Sequence, residues 1–175
     1  MLVAAGVVAI LALGALLQFG RSSPAFSWRP APRIRSIAVL PFRNLSGDAT
    51  HDYLSEGMTE EITTDLARFV SLRVVSATSA RHYGEKEPSL EEIARELKVD
   101  AIVEGSVTIS GGRVRVNAQL VDTKTDTHLW AQVYDRNADE IAEVHDLIAS
   151  EVVHHVAGNP SPAELESVER ILADR

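Results

Sequence analysis

The feature that most constrains this chain is an alternation of apolar and polar side chains along Ala101–Tyr134. A two-residue period is typical of β-strands that bury one face. The pair Gly111-Gly112 predicts a tight hairpin between the first two strands, because glycine tolerates the positive φ angles of such turns. Pairing outward from this turn places Val107 opposite Val116 and collects apolar residues on one face. A shift of one residue would invert a strand, so the alternation selects this register.

A second hairpin is predicted with Thr123–Asp126 as its loop. In this register Leu120 lies opposite Leu129, and the apolar face continues onto the third strand. The opposite face collects amide, basic and aromatic side chains, a composition enriched at protein interfaces. The predicted partner-binding face comprises Arg115, Asn117, Gln119, His128, Trp130, Gln132 and Tyr134. The alternative is that a helix covers part of this face and solvent covers the rest.

Short strands and amphipathic helices are predicted around this meander. Ile37–Leu40 and Leu72–Val75 are short apolar runs typical of buried strands. Apolar residues recur at helical spacing between Tyr53 and Phe69 and again between Ile141 and Val156. A capping box that begins at Ser89 predicts a short helix between the second and third strands.

The resulting order, β-α-β-α-β-β-β-α, restricts the topology. If the second strand lies beside the first and the third lies on the other side of the first, right-handed crossovers place the first two helices on opposite faces of the sheet. The predicted fold class is therefore α/β: a three-layer α/β/α fold with a mixed five-stranded sheet of order 2-1-3-4-5, in which strand 4 is antiparallel to the rest. A row of small residues, Gly105, Ala118 and Ala131, crosses the apolar face, and we expect the last helix to lie over it.

An apolar, uncharged segment, Leu2–Phe19, precedes the folded region. As a helix it would span roughly 27 Å, close to the ~30 Å hydrocarbon thickness of a bilayer. A retained membrane anchor is the preferred interpretation; a cleaved signal peptide and a buried core helix are the alternatives. The predicted segments are a transmembrane helix (1–20), a Pro/Arg-rich tether (21–35), the α/β domain (36–157), and a linker with the start of a helical region (158–175).

Charge is distributed unevenly along the chain. Residues 44–175 hold 12 basic against 25 acidic residues, which disfavours binding of nucleic acid by the domain. The arginines of residues 21–35 follow the apolar segment and no basic residue precedes it, so the positive-inside rule would place the domain in the cytoplasm. A basic segment upstream of Met1 would reverse this inference, and charge alone leaves the orientation open.

No catalytic constellation is found in the sequence. There is no cysteine, no GxSxG and no HExxH, so we predict no enzymatic activity, no cofactor and no metal site. Glu151 and His154 have the spacing of half a carboxylate-bridged metal site, but a solvated pair is the preferred interpretation. His145 and His155 are interpreted in the same way, and Asp65 is expected on the outer side of its helix.

The loop after the first strand is a candidate ligand site. It carries Asn44, Ser46, Gly47 and Asp48 and lies at the carboxyl end of a strand, where open α/β sheets usually bind ligands. Its single glycine does not form a GxGxxG phosphate-binding turn. A small-molecule or nucleotide sensor that uses this loop is the alternative function.

A series of short motifs runs in order along residues 36–157. They are IAVLPF (37–42), EGMTEEI (56–62), LRVVS (72–76), VEGSV (103–107) and LWA (129–131). In this order the motifs resemble the TolB amino-terminal-like domain of bacterial envelope and signalling proteins. The chain departs from that family at Asp126, where glycine is usual, and at residues 143–145, which replace a segment containing glutamine.

The resemblance implies a fold like that of anticodon-binding domains and no enzymatic activity. It implies a domain placed between a transmembrane helix and tetratricopeptide repeats, with an effector domain on the cytoplasmic side. It also implies a periplasmic location at the bacterial cytoplasmic membrane. The predicted function is thus a membrane-anchored, non-catalytic, extracytoplasmic module for protein–protein interaction or signal relay, which contacts the bilayer through Leu2–Phe19 and binds protein partners.

Overall fold

The meander predicted from the alternating pattern is present as three long strands. A computed structural model describes residues 34–69, 71–83 and 88–157. Its strands are β1 (Ser36–Val39), β2 (Arg43–Asn44), β3 (Arg73–Val74), β4 (Ala101–Ser110), β5 (Arg113–Asp122) and β6 (Thr127–Asn137). Its α-helices are α1 (Asp52–Ala67), α2 (Ala77–Ala80), α3 (Leu90–Leu97) and α4 (Val144–Ala157), with short 3-10 turns at Ala49–His51, Arg81–Tyr83 and Ala138–Glu143.

Most of the predictions for the two ends of the chain concern residues that the structure does not describe. The predicted transmembrane helix (1–20), most of the tether (21–35) and the C-terminal region (158–175) lie outside the described residues. Among the helices of residues 34–157 that are described, none is long and apolar enough to cross a membrane.

The strand order is β3-β1-β4-β5-β6, which confirms the order predicted for the five main strands. β1 is parallel to β3 and β4, and β5 is antiparallel to both of its neighbours. The short β2 is an additional sixth strand, which pairs with β4 through Arg43 and Ser106. The chain therefore leaves β1 after Val39 and pairs again with the same edge of β4 from Arg43 onward.

Two apolar cores lie on opposite faces of the sheet. On one face α1 and α4 contribute Ile62, Leu66 and Ile148, which are completely buried. On the other face α3 contributes Ile93, which packs with residues of β1 and β4 such as Ile102. Burial of each such side chain contributes about 1.5–3 kcal/mol, so both cores hold the sheet between helices as the right-handed crossovers predicted.

The first hairpin has the predicted register, whereas the second has it only at the two pairs next to the turn, Asp122 with Thr127 and Val121 with His128. Val107 pairs with Val116 around a turn in which Gly111 and Gly112 have φ angles of +60° and +77°. In the second hairpin Leu120 pairs with Trp130, because Leu129 is an extra residue on β6 that forms a β-bulge. The predicted pairing of Leu120 with Leu129 is therefore wrong by one residue.

The bulge also breaks the predicted row of small residues. Ala118 pairs with Gln132, and Ala131 lies on the opposite face beside Gln119. The space above Gly105 is occupied by the ring of Phe42, since a Cβ atom there would lie only 2.7 Å from Phe42 Cζ. The last helix packs instead against α1 and β6.

Candidate functional site

The seven residues predicted to form a partner-binding face are divided between the two faces of the sheet. Arg115, Asn117 and Gln119 lie together on the face away from α1 and α4, and His128 pairs on that face with Val121. The remaining three, Trp130, Gln132 and Tyr134, pair with Leu120, Ala118 and Val116 on the α4 face.

The aromatic residues of β6 therefore belong to the core rather than to a surface. Tyr134 is only 7% exposed, and Trp130 is half-buried against the same core, with its ring 6.2 Å from that of His155 in α4. Burial, followed by the nearby Glu151 carboxylate, raises the pKa of Tyr134 to about 12. Their predicted assignment to the polar face is wrong, because the bulge at Leu129 shifts the following part of β6 by one residue.

Small apolar residues occupy the positions of β6 on the polar face that were predicted for its aromatic and amide residues. Ala131 lies opposite Gln119, and Val133 lies opposite Asn117. Val133 is 46% exposed, which is unusual for a side chain at the centre of a long strand. We call Arg115, Asn117, Gln119, Ala131 and Val133 the sheet platform.

Hydrogen bonds to β4 hold the amide side chains of the sheet platform. Gln119 Nε2 donates to Glu104 Oε1 at 2.6 Å, and Asn117 Nδ2 donates to Ser106 Oγ at 3.2 Å. Both amides consequently present fixed donors and acceptors at the surface, at little further entropic cost on binding. Arg115 remains exposed at the end of the platform.

A cleft of about 400 Å³ separates the sheet platform from α3. Its polar wall is formed by residues of β4 and β5, and its apolar wall by Leu40, Leu90 and Ile93. The arrangement offers amide, hydroxyl and carboxylate groups beside an apolar surface, which suits recognition of a polypeptide segment.

The polar atoms of the predicted ligand loop form hydrogen bonds within the loop and to the elements beside it. Asn44 Nδ2 donates to the Asp48 carbonyl oxygen at 2.8 Å and to Asp52 Oδ1 at 2.7 Å. Ser46 Oγ accepts the backbone N–H of Ile109 at 2.9 Å, which attaches the loop to β4. Gly47 supplies the positive φ angle of +74° that the turn requires.

Asp48 caps the 3-10 turn that follows this loop. Its Oδ1 accepts hydrogen bonds from the backbone N–H of Thr50 at 2.9 Å and from the Thr50 hydroxyl at 2.8 Å. These hydrogen bonds, the backbone one first, hold the pKa of Asp48 below its usual value. The side chain of Asp48 thus has a structural role, whereas Asn44, like Leu45, borders a cleft.

That cleft has a volume of about 650 Å³ and lies between the loop and α1. Asp52, Glu56 and Glu60 line it, together with Arg43 and Arg81. Arg81 Nη2 pairs with Glu60 Oε1 at 2.9 Å. The three carboxylates of the lining exceed its two guanidinium groups by one negative charge.

Two predictions about polar residues of the helices are wrong. Asp65 was expected on the outer side of α1 but is 1% exposed, and His145 was expected in solvent but is 8% exposed. His145 Nδ1 lies 2.9 Å from Asp65 Oδ2 and so joins α4 to α1. A sequence signal was available, because Asp65 lies three residues after the buried Ile62 and His145 four residues before the buried Ala149.

The other histidines of α4 are on its surface, as predicted. Glu151, His154 and His155 are exposed, and His155 Nδ1 lies 2.7 Å from the Glu151 carbonyl oxygen and 3.8 Å from its carboxylate. Among the described residues, the group of His, Asp and Glu side chains close enough to share an ion is instead Asp65, His145 and Asp146.

Comparison with proteins of known sequence identifies relatives of this domain. The chain is 40% identical over 137 residues to a protein of Rhizobium meliloti (strain 1021) named as a candidate adenylate cyclase 3. The match covers 77% of this chain and 23% of that protein, so the chain spans about a quarter of the relative's length.

Solved structures show the same fold at low identity. TolB from Acinetobacter baumannii is 18% identical with a TM-score of 0.53, and the match covers 73% of this chain and 29% of TolB. The lipoprotein GNA1162 from Neisseria meningitidis is 20% identical with a TM-score of 0.50, and the match covers 71% of this chain and 99% of GNA1162. The resemblance to TolB-like domains expected from the motifs is confirmed at the level of the fold.

A family model assigns the chain directly. The model described as HilA/YgeH-like transcriptional regulator, second domain, matches residues 33–151, which include β1 to β6 and the first half of α4. This chain belongs to the family of HilA/YgeH-like transcriptional regulator second domains.

Proposed function

We propose that residues 36–157 form a non-catalytic module that binds a protein partner and relays a signal. One observation carries this proposal: the sheet platform exposes Val133 (46%) and Ala131 beside the hydrogen-bonded amides of Asn117 and Gln119. Apolar area next to preorganised hydrogen-bonding groups is the composition of a protein-binding surface.

The edge of the sheet supports a polypeptide partner. Within the described residues β6 pairs only with β5, so its outer backbone N–H and C=O groups are open to another strand. Its length, Thr127–Asn137, is twice that of an ordinary strand. The acidic balance of the domain disfavours nucleic acid as the partner.

The relay part of the proposal is supported by the relatives. The family is named for transcriptional regulators, and the Rhizobium protein is named for a cyclase, although the chain covers only 23% of it. We infer that the module reports partner binding to an effector domain in the same polypeptide. Leu2–Phe19 would anchor it as a single-pass protein of the bacterial cytoplasmic membrane, with the module on the periplasmic side.

Site-specific photo-crosslinking in living cells tests the sheet platform. A photoreactive amino acid is placed at Val133 or Arg115, and at Glu61 on the exposed surface of α1 as a matched control. We expect the two platform positions to yield the same discrete cross-linked species and the control to yield none of it. Equal products from all three positions, or none from the platform, would refute partner binding at this surface.

A topology reporter tests the location separately. A phosphatase that is active only in the periplasm is fused after Arg175, and a cytoplasmic reporter is fused at the same point as a control. We expect phosphatase activity; a stable fusion without it would refute the extracytoplasmic location and leave the crosslinking result unaffected.

A second candidate function is sensing of a small molecule in the 650 Å³ cleft beside Asn44. The excess of carboxylates there favours a cationic ligand over a nucleotide, whose phosphates they would repel. A thermal-shift comparison of polyamines with nucleotides tests this, because a ligand at 100 times its Kd should stabilise the fold by about 2.7 kcal/mol. Stabilisation by polyamines that is lost in Glu56→Gln would support the sensor, and no shift with any ligand of either class would reject it.

A further inference from the structure

We propose that Asp65, His145 and Asp146 form a binding site for a divalent transition-metal cation, of which Zn²⁺ fits best. Each residue offers one ligand atom, and these atoms lie within 4.8 Å of one another. The site lies between α1 and α4, on the face of the sheet opposite the sheet platform, and it goes beyond the proposed function.

Two of the three distances between ligand atoms are close to those around a small metal ion. His145 Nδ1 lies 2.9 Å from Asp65 Oδ2 and 3.6 Å from Asp146 Oδ1. A tetrahedral zinc ion with bonds of about 2.1 Å separates its ligand atoms by roughly 3.4 Å. The observed distances lie on either side of this value, so an ion fits after small side-chain rotations.

The donor set selects the kind of ion. One imidazole nitrogen with two carboxylate oxygens suits zinc, and manganese less well. Calcium and magnesium prefer six or more oxygen ligands, and soft ions prefer thiolates, which a chain without cysteine does not supply.

The charges of the cluster are compatible with a bound cation. The side chains of Asp65 and Asp146 are only 2% and 17% exposed, and Arg68 Nη1 lies 3.6 Å from Asp65 Oδ1. A divalent ion bound between the two carboxylates and the His145 imidazole would balance two negative charges in a largely buried site.

Binding would connect parts of the chain that are distant in sequence. Asp65 and His145 are 80 residues apart, and they are contributed by the two helices that cover one face of the sheet. An ion that binds only when α1 and α4 are docked stabilises the docked arrangement.

Metal titration of the full chain tests the site. The protein is purified in detergent, treated with a chelator at pH 7.5, and titrated with Co²⁺, whose visible absorption reports coordination, and with Zn²⁺ by calorimetry. We expect one equivalent of either ion to bind and Zn²⁺ to raise the melting temperature. His145→Gln keeps a hydrogen-bond donor facing Asp65 but removes the imidazole ligand, and it should weaken binding at least tenfold.

Two further variants make the result decisive. The double variant His154→Gln/His155→Gln removes the exposed histidines of the same helix and should bind as the parent does. Asp146→Asn, at the most exposed of the three ligands, should weaken binding in a chain whose fold is verified by circular dichroism. No stoichiometric uptake, uptake unchanged in both His145→Gln and Asp146→Asn, or uptake lost only in the double variant would each overturn the proposal. The contact between Asp65 and His145 would then be a hydrogen bond that joins two helices and no more.

Discussion

Gly105 is the position where the smallest substitution should have the largest effect. A Cβ atom at this residue would lie 2.7 Å from Phe42 Cζ, and closer still to Phe42 Cε1 and to the carbonyl oxygen of Asn117. Non-bonded carbon atoms prefer about 3.5–4.0 Å. The Asn117 carbonyl belongs to β5 and Phe42 is 4% exposed, so neither neighbour can move away without disturbing the sheet or the core.

The magnitude follows from two opposing effects. Overpacking of a filled core costs about 1–3 kcal/mol, and a contact with backbone belongs at the upper end of that range. Replacing glycine by alanine lowers the conformational entropy of the unfolded chain, which stabilises the folded state by about 0.4–1 kcal/mol. Gly105→Ala should therefore lose about 2 kcal/mol, which for a domain of this size lowers the melting temperature by roughly 8 °C.

Thermal unfolding followed by circular dichroism measures this change, with Gly57→Ala as the matched control. Gly57 lies within α1 with no heavy atom within 4 Å of the added Cβ, so the same substitution there should stabilise by about 0.5–1 kcal/mol. If Gly105→Ala melts at or above the parent temperature while Gly57→Ala rises as expected, the packing of Phe42 against Gly105 is refuted.

Three further changes test electrostatics and the turn. The pKa of Tyr134 is raised to about 12, so its protonated side chain contributes stability that is complete below the ordinary tyrosine pKa of about 10 and is lost as the pH rises through 12. Tyr134→Phe should therefore reduce the loss of stability at alkaline pH in melts measured as a function of pH. Burial alone would raise the pKa of Asp100, but hydrogen bonds, of which that from Lys124 is the strongest, hold this pKa below its usual value. Asp100→Asn should therefore remove stability that is present at neutral pH, and the variant should lose less stability than the parent as the pH falls below about 4. Asp126 has a φ angle of +52°, and Asp126→Gly should raise stability by about 0.5–1 kcal/mol in urea titrations, whereas no gain would contradict strain at this turn.

The parts of the fold that the sequence predicts are those in which a local pattern has one solution. Gly111 and Gly112 specify the turn, and the alternation on either side specifies the first hairpin. With the second and third strands placed on either side of the first, the handedness of crossovers then places α1 and α3 on opposite faces.

The contact between Asp65 and His145 shows what such patterns leave out. Helical periodicity indicates that both positions face the core, but their polarity argues for solvent, and the two signals conflict. The conflict is resolved by the pairing of the two residues with each other across the helix interface, at a separation of 80 residues. Local sequence carries no information about a partner that distant, so the candidate metal site follows only from the three-dimensional structure.

The register of the second hairpin beyond its bulge is predicted wrongly for a different reason, because the sequence of β6 permits two solutions. Leu129, Ala131 and Val133 alternate with Trp130, Gln132 and Tyr134, so either set can satisfy a two-residue period. Binary patterning favours the first set, which is wholly aliphatic, but Trp and Tyr each bury about 150–250 Å² and contribute more when they pack against α4. The bulge lets the strand bury Leu129 together with these two rings and leaves Ala131 and Val133 in solvent. One extra residue thus determines both the packing of α4 and the apolar character of the sheet platform, so the surface proposed to bind a partner is a consequence of how the core is filled.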